Sequence, residues 1–343
     1  MTRKHKYYLW AGLLLLPLLL ALADIYTGSV HLSFSSVTRA LFHPGGTDDV
    51  TVILHRFRLP RMWTAVLAGV ALSVSGLLMQ TTFRNPLAGP YVLGISAGAS
   101  LGVALLVLGL SPLLSFASGS LAANTSIMAA AIAGATGVLL LIMAVSLRIR
   151  DIMTILILGI MFGSAVTALV SILQYFSNET MLKVFVVWTM GSLANVTGMQ
   201  SLLLTLLVGA GVLLSFLLIK QLNTLLMGEA YAHSVGMDIR RTRLLIFGVT
   251  GILAGSVTAF CGPIGFVGIV VPHLARLTLR TSDLRPVLPA TLLLGASLLL
   301  LGDILSHLPG EGGVLPINAV TAVLGIPLII WMILQRQKLS SLM

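Results

Sequence analysis

Long apolar stretches, each cut short by a polar break, recur along the whole chain; YYLWAGLLLLPLLLALA stands near one end and NAVTAVLGIPLIIWMIL near the other. A bilayer core about 30 Å thick takes about 20 apolar residues of helix to cross. Runs near 7–27, 59–80, 92–110, 124–147, 152–174, 200–220, 243–260, 265–280, 286–305 and 317–335 meet or approach that length and predict ten spans. Charged residues make up only 9% of the chain, against about 25% in a soluble domain. The 343 residues therefore read as one all-α integral membrane domain, 1–343, with about ten transmembrane helices and no room for a soluble catalytic domain.

In a soluble protein the formal charge of +10 would suggest nucleic acid, but in a membrane protein the placement of the charges decides. With the N-terminus inside, fifteen of the 20 basic residues fall on the cytoplasmic side: Arg3, Lys4, Lys6, Arg84, Arg148, Arg150, Lys220, Arg240, Arg241, Arg243, Arg276, Arg280, Arg285, Arg336 and Lys338. The expectation is a multi-pass protein of the bacterial inner membrane with both termini cytoplasmic, in contact with lipid and not with nucleic acid. The basic head and apolar run of MTRKHKYYLWAGLLLLPLLLALAD also resemble a signal peptide with its cleavage site. The run from Tyr7 to Ala23 exceeds the usual signal core of about 7–15 residues, which favours an uncleaved first span.

Arg39, Arg56, Arg58, Arg61 and Lys183 are left outside, four of them around segment 28–61. Within the outer segment 28–58, HLSFSSVTRALFHPGG has helical apolar spacing and predicts a short helix at the outer surface. Its arginines either snorkel at the interface or form a docking surface for something acidic. Spans 2–5 and 7–10 share small-residue helices broken by a Gly/Pro turn, as an inverted repeat would; composition alone can also produce that likeness. The breaks RNPLAGP (84–90) and CGPIGFVG (261–268) free backbone groups that lipid cannot satisfy, so both should lie against a cavity or a gate. The 34 glycines, often three or four apart, are expected to pack helices closely.

Catalytic chemistry is missing. No G-x-x-x-x-G-K-[ST] phosphate loop, no H-E-x-x-H and no His pair at metal-ligand spacing occurs, so neither nucleotide hydrolysis nor a metal site is expected on this chain. The single Cys261 reads as a small helix residue, and lone histidines such as His273 as satisfied helix positions. A gradient-driven secondary transporter, the alternative function, would need buried ionisable groups. Asp24, Asp303 and Arg276 are its candidates, and each falls near a predicted span end, where anchoring explains it.

One polar stretch, GEAYAHSVGMDIRRTR (228–243), overlaps the cytoplasmic segment 221–242 and interrupts the apolar pattern. Gly228 and Gly236 bound a piece long enough for two helical turns, followed by Arg240, Arg241 and Arg243. On spacing alone this is either a rigid knob offered to a soluble partner or a re-entry loop with positive-inside charges.

Gly228, Glu229, Ala232 and Gly236 of that stretch resemble the coupling-helix motif of the FecCD-type permeases, the membrane subunits of ABC importers for ferric siderophores, haem and cobalamin. The segments RLPRMWTAVLAGVALSVSGLLMQTTFRNPLAGPYVLGISAGAS (58–100), GPIGFVGIVVPHLARL (262–277) and LPINAVTAVLGIPLIIWMIL (315–334) are similar to further signatures of the family, in the same order and spacing. The resemblance implies a homodimer, two cytoplasmic P-loop ATPases that carry ATP and Mg, no cofactor on this chain, and an external or periplasmic binding protein. It implies that Gly228, Glu229, Ala232, His233, Gly236, Arg240 and Arg241 couple to the ATPase. It implies that Arg58 and Arg61, with His307 where some relatives carry Arg, dock the binding protein. By the same likeness Asn85, Pro86 and Leu87 form part of a cytoplasmic gate, with Ile152 and Met153 as its second strip. The turn RIRDIMT departs from the family's Ser/Thr-rich version, and Arg84 and Gly89 stand where the cobalamin permease has acidic residues. A ferric siderophore is the expected cargo, with cobalamin and haem close behind.

Overall fold

The computed structural model describes residues 3–28, 30, 32–42, 48–109, 121–149, 151–196, 198–310 and 313–340. Arg150, expected among the inside charges, lies outside them. Helix α1 (Arg3–Tyr26) is followed by the short α2 (Phe34–Phe42), which occupies the predicted surface helix. Next, α3 (Asp49–Ile53), a turn of π-helix (Leu54–Arg58) and α4 (Leu59–Thr82) run on as one apolar rod of 34 residues. Span two therefore starts ten residues before the sequence boundary, because Asp48 caps α3 by accepting from the Thr51 N–H.

The chain continues through α5 (Ile95–Ala104), α6 (Leu121–Ser146), α7 (Ile152–Tyr175), α8 (Glu179–Thr189), α9 (Met199–Leu217), α10 (Ile219–Leu226), α11 (Glu229–Ser234), α12 (Ile239–Cys261), α13 (Val267–Leu279), α14 (Leu284–Ser306) and α15 (Ile317–Ser340). Among the described residues, seven helices are long and apolar enough to cross a membrane. The shorter apolar segments Ile95–Gly109, Val267–Leu279 and Ile317–Trp331 fill the three remaining predicted positions. Helix α8 was not expected; Asn178 caps it, accepting from Met181 N–H at 2.9 Å.

Helix α4 packs on α14 and α13, while α12 packs on α6 and α5. Each half thus packs its first helix against the second and third of the other. Glycine permits this closeness. A methyl group at Gly69 would collide with the Gly295 carbonyl on α14, and one at Gly76 with the Gly268 carbonyl on α13. On α5, a Cβ at Gly98 would stand 2.5 Å from the Gly134 oxygen of α6. At these positions the expected close packing of glycine faces is met, whereas Gly137, Gly209 and Gly248 have nothing within 4 Å.

The second helix break is covered by protein, as buried backbone requires, whereas the first stays partly exposed at 84–87. Arg84 takes φ 47° after α4, and in the loop that follows Asn85 closes an Asx turn by accepting from the Leu87 N–H at 2.9 Å. At the second break Gly262 and Phe266 take φ 75° and 67°. There the Cys261 carbonyl accepts from Ser192 N–H at 2.8 Å, Asn318 Oδ1 accepts from Gly265 N–H at 3.0 Å, and Tyr91 donates to the Ile264 carbonyl. Arg276, expected as a span-end anchor, instead donates to Gln80 Oε1 at 2.6 Å, and Gln80 donates to the Ile269 carbonyl at 2.9 Å.

Gly76→Ala is expected to destabilise the protein by more than the usual 1–3 kcal/mol of overpacking, because its neighbour is backbone and cannot rotate away. Gly248→Ala in α12, where nothing lies within 4 Å of the added methyl, should be neutral or stabilising by up to about 1 kcal/mol. Thermal unfolding in mild detergent distinguishes the two.

Candidate coupling, gating and docking sites

Helix α11 is a single short piece, Glu229–Ser234, fixed at both ends. Gly228 enters it at φ 107°, ψ 155°, open only to glycine. At the exit Met237 N–H donates to the Ala232 carbonyl and Gly236 N–H to the His233 carbonyl, both at 3.0 Å, with Gly236 at φ 78°. This pair of bonds is a Schellman cap, and Gly236 occupies its left-handed position. Ala232 is fully buried beneath the turn. Glu229 pairs with Arg243, a buried arginine of α12. Each residue of the spaced Gly-Glu-Ala-Gly motif therefore has a physical duty: entry, tether, seat and exit.

The flank is equally anchored. Asp238 caps α12 by accepting from Arg241 N–H at 3.0 Å, and its exposed ion pair with Arg241 at 3.1 Å adds little. Arg240 donates to the Leu147 carbonyl beyond α6. What remains outward is an apolar-rimmed surface with Met227 71%, Tyr231 51% and Val235 55% exposed, and His233 beside them. A rigid knob with an apolar rim is suited to docking.

The proposed gate strips sit on neighbouring elements. Leu87 is 44% exposed on the loop after α4, next to half-buried Asn85 and Pro86. Met153 is 49% exposed and Ile152 half-buried in the first turn of α7, and α7 packs on the segment Pro90–Leu93. Asp151 caps α7, accepting from Thr154 Oγ1 at 2.6 Å and Thr154 N–H at 2.8 Å; the hydroxyl bond in particular lowers its pKa. RIRDIMT thus uses an aspartate cap to start the helix.

At the opposite end of α4 the arginines are turned inward. Arg58 donates to the carbonyls of Ile25 at 2.8 Å and Val30 at 2.5 Å. A side chain at Gly28 would meet its guanidinium at 2.8 Å. Arg61 grips Asp303 of α14 with Nε at 2.9 and 3.0 Å and Nη2 at 2.6 Å, and Nη2 also reaches Ser306 Oγ at 3.0 Å. Asp303 is 1% exposed and Asp24 5%, which corrects their reading as span-end anchors. His307 Nδ1 lies 2.9 Å from the Asp303 carbonyl. These groups line a cavity of about 290 Å³ with Thr27, Gly28 and Phe57. The exposed cations of this face are Arg39, Arg56 and Lys183. Sequence could not pair Arg61 with Asp303, 242 residues away.

A second cavity of about 750 Å³ lies where α6, α8 and the second break meet, lined by Asn124, Trp188, Asn195, Cys261, Gly262 and Pro316 among others. Free Cys261 is buried, and among the described residues no cluster of His, Cys, Asp and Glu could hold a metal.

Residues 14–335 match the model of the FecCD transport family. The chain belongs to the FecCD transport family. Among the relatives of this family member are a hemin transport system permease protein, HmuU, of Yersinia pestis, and a vitamin B12 import system permease protein, BtuC, of Vibrio cholerae. The first is 36% identical over 96% of each chain and the second 36% identical over 97% of each. A solved structure described as an inward-facing conformation of a metal-chelate type ABC transporter superposes with a TM-score of 0.83, at 28% identity, over 96% of this chain and 99% of that one. This FecCD member is therefore a transport permease with that fold, all helical and multi-pass.

Arg61→Leu leaves Asp303 buried and unpaired, and is expected to cost about 3–5 kcal/mol. Arg61→Leu with Asp303→Leu should recover most of the loss, which a double-mutant cycle of detergent unfolding measures. At His307, burial first and the Arg61 guanidinium second push the pKa below the ordinary 6.5. The folded state therefore disfavours the charged ring, so its contribution is intact above about pH 6.5 and is lost as pH falls towards the depressed pKa. His307→Gln should flatten the acid side of the stability profile.

Proposed function

We propose that this chain is the membrane subunit of a binding-protein-dependent ABC importer, working as a homodimer that passes a metal chelate between its two copies. Two cytoplasmic P-loop ATPases carry the ATP and Mg, so this chain is not itself an enzyme. A ferric siderophore is the leading cargo, with haem and cobalamin next; the hemin and vitamin B12 permeases among the relatives support this range.

The observation that carries the reading is α11, a six-residue helix capped by Gly228 and Gly236 and tied by Glu229 to Arg243. Movement imposed on Tyr231, His233 and Val235 would pass through the Glu229–Arg243 pair and the buried Ala232 into α12. Arg240, bonded to the Leu147 carbonyl, would carry it to α6. The spans would then rock between outward- and inward-open states, with Leu87 and Met153 as cytoplasmic gate strips. A gradient-driven mechanism is not favoured, because residues 14–335 match the FecCD transport family and the superposed structure is that of an ABC transporter.

The binding protein would dock on the Arg58 face. Arg58 and Arg61 hold that surface in shape, His307 stands at its rim, and exposed Arg39 and Arg56 supply the cations for acidic partner residues.

Purification from native membranes in mild detergent should bring down a stoichiometric P-loop ATPase. Gly236→Leu, forced to φ 78°, should abolish binding-protein-stimulated hydrolysis while the protein stays folded. Transport in vesicles that followed a proton or sodium gradient and ignored ATP would overturn the proposal. Arg56→Glu should weaken binding-protein association several-fold at low salt and less at high salt.

A further inference from the structure

The face that carries α11 also carries a separate cavity of about 500 Å³, between the start of α1 and the turn from α13 to α14. Asn223 of α10 donates to Asp283 in that turn at 2.8 Å, which places the cavity on the α11 side of the molecule. Its polar lining is Lys6, Arg280, Thr281 and Asp283; its apolar lining is Leu9, Trp10, Leu279 and Pro286.

The charges are arranged for an anion. Lys6 and Arg280 are both exposed. The one carboxylate, Asp283, is occupied as the cap of α14, accepting from Arg285 N–H at 3.0 Å and from Asn223. Those bonds, the Arg285 one first, hold its pKa below the ordinary value. Arg280 ends α13 in the left-handed conformation at φ 52°. A non-glycine residue there is uncommon, and helix capping alone would be served better by glycine.

The surface above the cations is built for hydrocarbon. Lys6, Trp10, Leu14, Leu18 and Leu22 are successive i+4 neighbours and form one ridge along α1. Leu14, Leu18 and Leu22 are 53%, 61% and 53% exposed, and only 17% of the apolar core of α1 is buried. A cation, then a half-buried tryptophan, then leucines is the order of headgroup, interface and acyl layer met on entering a leaflet. Half of a roughly 30 Å core corresponds to about ten helical residues, so an acyl chain whose headgroup lies at Lys6 runs along Leu14 towards Leu18.

We propose that this cavity is a binding site for an anionic phospholipid of the leaflet on the α11 side, its phosphate held between Lys6 and Arg280 and its chains lying on the α1 ridge. The site wedges a lipid between α1 and the α13–α14 turn. It does not depend on which cargo is carried or on how transport is powered.

The test uses the full chain, delipidated in neutral detergent and titrated with phosphatidylglycerol or phosphatidylcholine while bound lipid is counted by native mass spectrometry. Wild type is expected to retain phosphatidylglycerol at least tenfold more strongly than phosphatidylcholine. Lys6→Gln with Arg280→Gly should remove that preference. The glycine relieves the left-handed backbone, so the fold is kept, and unchanged α-helical circular dichroism checks this. Lys6→Arg with Arg280→Lys should retain the preference, and Lys183→Gln on the opposite face should leave it unaltered. Equal retention of the two lipids by wild type, or an undiminished preference in the double variant, would overturn the proposal. So would full displacement by millimolar inorganic phosphate, which marks a free-anion site, or a lipid-free dimer that buries Lys6 and Arg280.

Discussion

Backbone-to-backbone approach along α4 is the constraint on which the rest of the structure depends. Membrane helices gain no hydrophobic drive from packing on one another, so they associate where small residues let them come close. On α4 Gly69 meets Gly295 of α14 and Gly76 meets Gly268 of α13. A rod held at both depths can carry fixed chemistry at both ends. One end presents Arg58 and Arg61, and the other presents Gln80, Arg84 and Asn85.

The two ends are stabilised by different means. At the Arg58 end, buried charge is neutralised in place, Arg61 by Asp303, while Arg58 satisfies the carbonyls of Ile25 and Val30. Such pairs are poor sources of net stability but costly to break from one side, which makes the cluster a device for fixing where α1, α4 and α14 stand. At the α11 end, helix caps do the work: Asp151, Asp238 and Asp283 each start a helix, and Gly236 stops one. A capped short helix transmits a push as a rigid piece, whereas an uncapped loop would absorb it.

The helix interruptions fit the same picture. Tyr91, Ser192 and Asn318 cover the second break, and the Asx turn at Asn85 closes the first, which stays partly exposed. In a membrane, irregular backbone survives only against protein or water. The second break borders the 750 Å³ cavity.

Local spacing by itself determined the helical class, the ten apolar segments and the surface helix at 34–42, and it left 229–234 open between a short helix and a loop. Each depends on periodicity, caps and length within a few tens of residues. The Gly228–Gly236 spacing was legible because a positive φ at a helix end is written in one residue. The tertiary structure alone decided which charges are buried. Asp303 and Arg276 read as span-end anchors until α14 and α13 closed on α4, since burial depends on what packs from 190 or more residues away. The inward turn of Arg58 and Arg61 was hidden for the same reason: a positive residue near a span end looks alike in sequence whether it faces solvent or a carbonyl 33 residues back.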